Sequence, residues 1–119
     1  MLIEGIFVKS TIAAAVVALA FAGAANAAGA ESRVSDSGFL QAARCRGLAA
    51  SEGLGRLDTA AIDQLLRTEG HSRTLAAKAS ASKRITAAQA QGDRAQGGKK
   101  DRLLAERQSA CAVWLKGGR

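Results

Sequence analysis

Apolar positions in this 119-residue chain fall into one dense block near the start and sparse, helically spaced stripes after it. The block, Thr11-Ile12-Ala13-Ala14-Ala15-Val16-Val17-Ala18-Leu19-Ala20-Phe21, follows Lys9 and leads into small residues ending Ala25-Asn26-Ala27. A charged start, an apolar middle and an Ala-x-Ala exit predict a secretory signal peptide over residues 1–27. Cleavage there starts the mature chain at Ala28, with residues 28–37 as a flexible lead-in and 38–119 as the folded part. The competing reading is a retained membrane anchor. No charge occurs from Ser10 to Ala30, and those 21 residues just span a bilayer. Bulky apolar side chains stop at Phe21, however, and alanine and glycine contribute little to insertion. No cysteine lies near the cleavage region and no arginine pair precedes the block, so neither lipid anchoring nor twin-arginine export is indicated.

Past the leader there is no proline and no run of β-branched or aromatic residues, and alanine-rich segments punctuated by glycine predict an all-α fold. A first helix is expected over Gly38–Ser51, with Phe39, Leu40, Ala43, Gly47, Ala50 and Leu54 on one face. Cys45 and Leu48 fall off that face, so this helix should be contacted on two sides. A second begins at Asp58 as N-cap, with Leu57 and Ile62 placed for a hydrophobic staple, buries Ile62, Leu65 and Leu66, and stops at Gly70. A third, over Ser72–Gln91, has only Leu75 and Ile85 as large apolar anchors, which predicts a loose or one-sided fit. Gly92 and Gly97-Gly98 mark a hinge or break. The last helix, Lys99–Lys116, carries Leu103, Leu104, Ala110, Cys111, Trp114 and Leu115 on one face and ends at Gly117-Gly118. The expected architecture is a small three- to four-helix bundle without internal repeats.

Composition changes this picture in one respect. Of the roughly 92 residues after Ala27, only 15 are Val, Ile, Leu or Phe, about 16% and below the rough 20% at which chains struggle to fold. At roughly 25 cal/mol per Å² buried, so thin a core barely offsets chain entropy, and a covalent staple is expected. Cys45 and Cys111 are the two cysteines, and an even count in a short exported chain reads as a structural disulfide. It closes a loop that the chain-entropy model values at about 4 kcal/mol. Redox catalysis and metal binding are weaker readings, because there is no Cys-x-x-Cys pair and two cysteines with one histidine do not complete a four-ligand site.

The net charge of +7 is unevenly placed. Residues 28–70 hold five arginines against six acids, a net −1. Residues 71–102 hold Arg73, Lys78, Lys83, Arg84, Arg94, Lys99, Lys100 and Arg102 against Asp93 and Asp101, a net +6. The remaining tail is +2. The plain reading of the basic segment is a solvated helix face that keeps weakly packed alanine-rich chain in solution. The sharper one is a contact surface, formed by those eight residues, for an anionic polymer, a lipid headgroup or an acidic protein. Nucleic acid is disfavoured because the segment lacks aromatic residues to stack on bases. Membrane association is expected only if the leader is retained, since bulky apolar residues are missing opposite the lysines.

No catalytic constellation is visible. His71, the single histidine, follows Gly70 at a helix boundary where exposure or capping is the ordinary role. Ser51 and Ser72 stand in no nucleophile elbow, there is no phosphate-binding glycine loop, and the carboxylates are scattered. No enzymatic activity, cofactor or metal is expected. In layout alone (a signal peptide, about 90 residues and two distant cysteines) the chain is similar to small periplasmic acid-stress chaperones, a resemblance that carries over no residue roles. The expectation is therefore a periplasmic or secreted, non-catalytic helical protein that binds an anionic partner. The alternatives are a chaperone-like stress protein, or a membrane-anchored envelope subunit if the leader stays.

Overall fold

The helical spacing resolves into five helices in the computed structural model, which describes residues 34–118: α1 (Asp36–Ala50), α2 (Ala60–Gly70), α3 (Leu75–Arg94), α4 (Gly97–Gln108) and α5 (Ala112–Leu115). The leader and residues 28–33 of the lead-in lie outside the described residues. The all-α class and the Cys45–Cys111 disulfide are present, and the described residues form five helices where three or four were expected. The difference lies in the last amphipathic stretch, where the Ser109 hydroxyl donates to the Ala105 carbonyl at 2.8 Å and the Cys111 N–H reaches back five residues to the Glu106 carbonyl at 3.0 Å. That widened turn ends α4 at Gln108. Ala110 leaves the expected apolar face and is exposed, while Leu103 and Cys111 stay buried.

Helix α1 is the axis of the domain. Ser35 caps it by accepting from the Gly38 N–H at 3.0 Å, which starts the helix earlier than Gly38. Phe39, Ala42, Ala43, Cys45, Gly47, Leu48, Ala49 and Ala50 are all buried, and these positions cover nearly the whole circumference. A helix apolar on most sides must be surrounded, and α1 touches each of the other four. The main core gathers Cys45 and Leu48 of α1, Ile62 and Leu65 of α2, Ala88 of α3, and Leu103 and Cys111 of the last segment, with Trp114 packed partly against it. Both sulfurs are fully buried, and the cysteine Cα atoms stand 5.4 Å apart. A smaller cluster of Phe39, Ala43 and Ala81 closes the opposite end of the α1–α3 contact.

Of the two fits expected for α3, loose or one-sided, the structure has the one-sided fit, with Ala81, Ala88 and Gly92 buried on a single face. A Cβ added to Gly47 would lie 2.3 Å from the Ile85 carbonyl oxygen and 2.8 Å from the Ala88 Cβ, so α1 and α3 approach nearly backbone to backbone. Gly92, read from sequence as a hinge, continues the helix and receives the Ser51 side chain. Small residues, poor anchors one by one, here permit an approach that larger ones forbid. The true break comes at Ala95-Gln96, and Gly97 makes the turn into α4 with φ +58°, where a side chain would be strained.

Helix α2 starts at Ala60, with Asp58 accepting from the Ala60 N–H at 2.9 Å. The Leu57–Ile62 staple is not the arrangement observed. Ile62 is fully buried, whereas Leu57 is 43% exposed beside Ala112 and Leu115.

Candidate functional site

The polar side chains sort into those that hold the helices together and those left facing solvent. Arg44 projects from α1 and grips Glu106 of α4 through two bonds, Nε to Oε2 at 2.6 Å and an Nη to Oε1 at 2.8 Å, while its other Nη donates to Gln91 of α3 at 3.1 Å. The pairing raises the Arg44 pKa and lowers that of Glu106, the hydrogen bond being the main cause for each. Arg46 donates to Asp63 of α2 at 2.6 Å, and Thr59 donates to the other oxygen of that carboxylate. Arg107 is buried and reaches no carboxylate among the described residues. Its guanidinium donates to the carbonyls of Leu48, Leu54 and Gly55 at 3.2, 3.0 and 2.6 Å, satisfying acceptors at and just beyond the end of α1. Burial pushes its pKa down.

Arg73, expected on the basic surface, is instead an internal clamp. Its side chain is only 7% exposed, pairs with Asp36 at 2.6 Å and with the buried Glu69 at 3.0 Å, and donates to the Val34 carbonyl. The guanidinium lies 5.0 Å from the centre of the Phe39 ring. A basic residue next to a helix boundary looks solvated in sequence. Glu69 is a local partner one turn back, and only the return of α2 against the start of α1 adds Asp36 and the Phe39 ring.

The other seven expected cations behave differently. Lys78, Lys83, Arg84, Arg94, Lys99 and Arg102 are exposed and Lys100 is half-exposed, and none of the seven makes an ion pair within 4 Å among the described residues. They do not converge on a point. At 100° per residue, Lys83 and Arg94 share the side of α3 away from its buried Ala81, Ala88 and Gly92, while Lys78 and Arg84 fall on the two flanks. Lys99, Lys100 and Arg102 occupy the start of α4, whose first turn has no acid. The result is a cationic belt over the outside of α3 and onto the head of α4. Arg67, outside the basic segment, also lacks a carboxylate and is held by Gln64 at 2.9 Å.

Asp93 stands exposed among these cations and bonds to the end of α1, accepting from the Ser51 hydroxyl at 2.8 Å and the Gly53 N–H at 3.2 Å. Those bonds, the Gly53 N–H foremost, lower its pKa. Because the folded values of Asp93 and Glu106 are depressed, their contribution to stability is complete above the ordinary carboxylate range and is lost as pH falls through the depressed values. We expect a melting temperature that is flat from neutral pH to about pH 5 and falls below about pH 4. In Asp93→Asn and Glu106→Gln variants that acid limb should flatten. A thermal melt series over pH checks this, and an unchanged acid limb in both variants would contradict it.

Among the described residues no group of three or more His, Cys, Asp or Glu is placed to hold a metal, and no helix is long and apolar enough to cross a membrane. His71 is exposed at the end of α2. No protein-family model, curated protein or solved structure matches this chain.

Proposed function

We propose that this is a small exported, non-catalytic helical protein that holds an anionic partner on the belt formed by Lys78, Lys83, Arg84, Arg94, Lys99, Lys100 and Arg102. The observation that carries this reading is the division of the acids. Asp36, Asp63, Glu69, Asp93 and Glu106 are engaged in bonds within the domain, so that Asp101 is the one acid left exposed and without such a bond among the seven belt cations, none of which pairs with a carboxylate within 4 Å among the described residues. Lys99 and Lys100 in the first turn of α4 also face the positive end of its own helix dipole, a local cost that a bound anion offsets. The spread of charge suits an extended partner, an acidic polymer, a lipid surface or an acidic protein, better than a single small ion. The fully buried disulfide supports maturation in an oxidising space, periplasmic or secreted, and N-terminal sequencing that begins at Ala28 would match that route.

Retention on immobilised poly-glutamate tests the reading. Binding should weaken steeply as salt rises, and the combined substitution of Lys83, Arg84, Lys99 and Lys100 by Gln should reduce affinity by about tenfold or more, four charges each contributing a few tenths of a kcal/mol. Binding indifferent to ionic strength, or to the four substitutions, removes it. The chaperone-like alternative draws on the acid-sensitive joints at Asp93 and Glu106. Suppression of client aggregation only below the pH at which the domain loosens would favour it.

A further inference from the structure

Where the end of α2 meets the first half of α3, a cleft of about 280 Å³ opens to solvent. Phe39, Leu66, Ala81 and Ile85 make an apolar floor, and Arg67 and Lys78 stand at the rim. No carboxylate lines it, and neither rim cation makes an ion pair within 4 Å among the described residues. Leu75, 83% exposed, lies three residues before Lys78 and extends apolar surface beyond the cleft on the same side of α3. An apolar trough edged by two unpaired cations is complementary to a molecule with an aliphatic tail and one anionic head. At about 280 Å³ the cleft is at the small end of ligand pockets, which suits a short aliphatic tail. A guanidinium fork with a neighbouring ammonium matches the two oxygens of a carboxylate.

We propose that this cleft binds a straight-chain fatty carboxylate, its tail on Phe39, Leu66 and Ile85 and its head between Arg67 and Lys78. The site shares Lys78 with the belt proposed above, but it does not depend on that reading and is tested through different residues. That contact is tested through Lys83, Arg84, Lys99 and Lys100, and this one through Arg67 and Lys78, so either can fail alone.

Titration of the oxidised protein, as recovered from its host, with decanoate, decanol and decyltrimethylammonium below their micelle concentrations decides the matter, followed by calorimetry and by amide chemical shifts. The expected result is one saturable decanoate site that shifts residues 66–71 and 78–85. Decanoate should bind about tenfold tighter than decanol, the scale of one charge-assisted contact, and the cationic amphiphile should bind weakest. Arg67→Gln with Lys78→Gln should bring decanoate down to the level of decanol. Gly70→Leu should block the cleft, because a Cβ there meets only Phe39 Cζ at 3.8 Å and points its side chain into the open space. If Gly70→Leu lowers the melting temperature, the Arg67/Lys78 pair, whose side chains leave the floor intact, decides between binding and its absence. Equal affinity for decanoate and decanol, shifts confined to other residues, or no saturable binding at all would overturn the proposal.

Discussion

Replacing both Cys45 and Cys111 by alanine is expected to lower the stability of the oxidised domain by about 4 kcal/mol, the chain-entropy value for a loop of this length. The two residues are separated by 66 positions, so the bond removes more freedom from the unfolded chain than a local bridge would. Small domains have only about 5 kcal/mol in hand at the low end, and this one has little else to fall back on. Beyond the cysteines, its buried apolar set is Phe39, Leu48, Leu54, Ile62, Leu65 and Leu103, and otherwise alanine. At about 4–8 °C per kcal/mol for a domain of this size, the melting temperature should fall by about 20 °C. Because both sulfurs are fully buried, reduction requires the domain to open first. The rate of reduction should therefore plateau with reductant concentration. A double-alanine protein melting within a few degrees of the oxidised form would show that packing, and not the covalent bond, sustains the fold.

Gly47→Ala is expected to destabilise by about 3 kcal/mol, at the upper end of ordinary overpacking. The magnitude is informative because propensity points the other way. In an open helix the same change stabilises by about 1 kcal/mol. Here the new methyl would sit 2.3 Å from the Ile85 carbonyl oxygen, and a backbone atom cannot rotate aside as a side chain can. Helices α1 and α3 must move apart, and the Ala43–Ala81 and Ala42–Ala88 neighbourhoods loosen with them. Gly98 provides the control, since its added methyl meets only the tip of Arg102 at 4.0 Å, and Gly98→Ala should be neutral to stabilising. Denaturant melts of the two variants separate the effects. Similar midpoints for both would mean that the α1–α3 contact yields more easily than its geometry implies.

Legibility in the sequence differed from element to element for physical reasons. The class of the fold and the end of α2 at Gly70 follow from local preference, which neighbours in space do not override here. The disulfide was legible because two cysteines allow a single pairing within the chain and a thin core needs one. The α1–α3 contact was not, because helical periodicity is carried by large apolar residues and is silent at alanine and glycine, although in close approach they are the interface. Likewise, the break before Cys111 is invisible to a periodicity that continues smoothly through Ala110. The cationic segment was visible as composition, but the removal of Arg73 from it was not, and neither was the placing of Arg67 beside Lys78. Nor does any local signal mark Arg107 as the donor that closes the end of α1.

By itself, then, the order of residues determined what this chain is made of: helices, one possible covalent closure, and a surplus of positive charge late in the chain. These follow from backbone preference and from counting, which need no knowledge of neighbours. The folded molecule alone decided which charges are internal and which are free. An arginine's role depends on whether a carboxylate, a carbonyl or water lies within about 3 Å of it, and residues 37 or 62 positions apart are brought to that distance only by the packing of α1 against everything else.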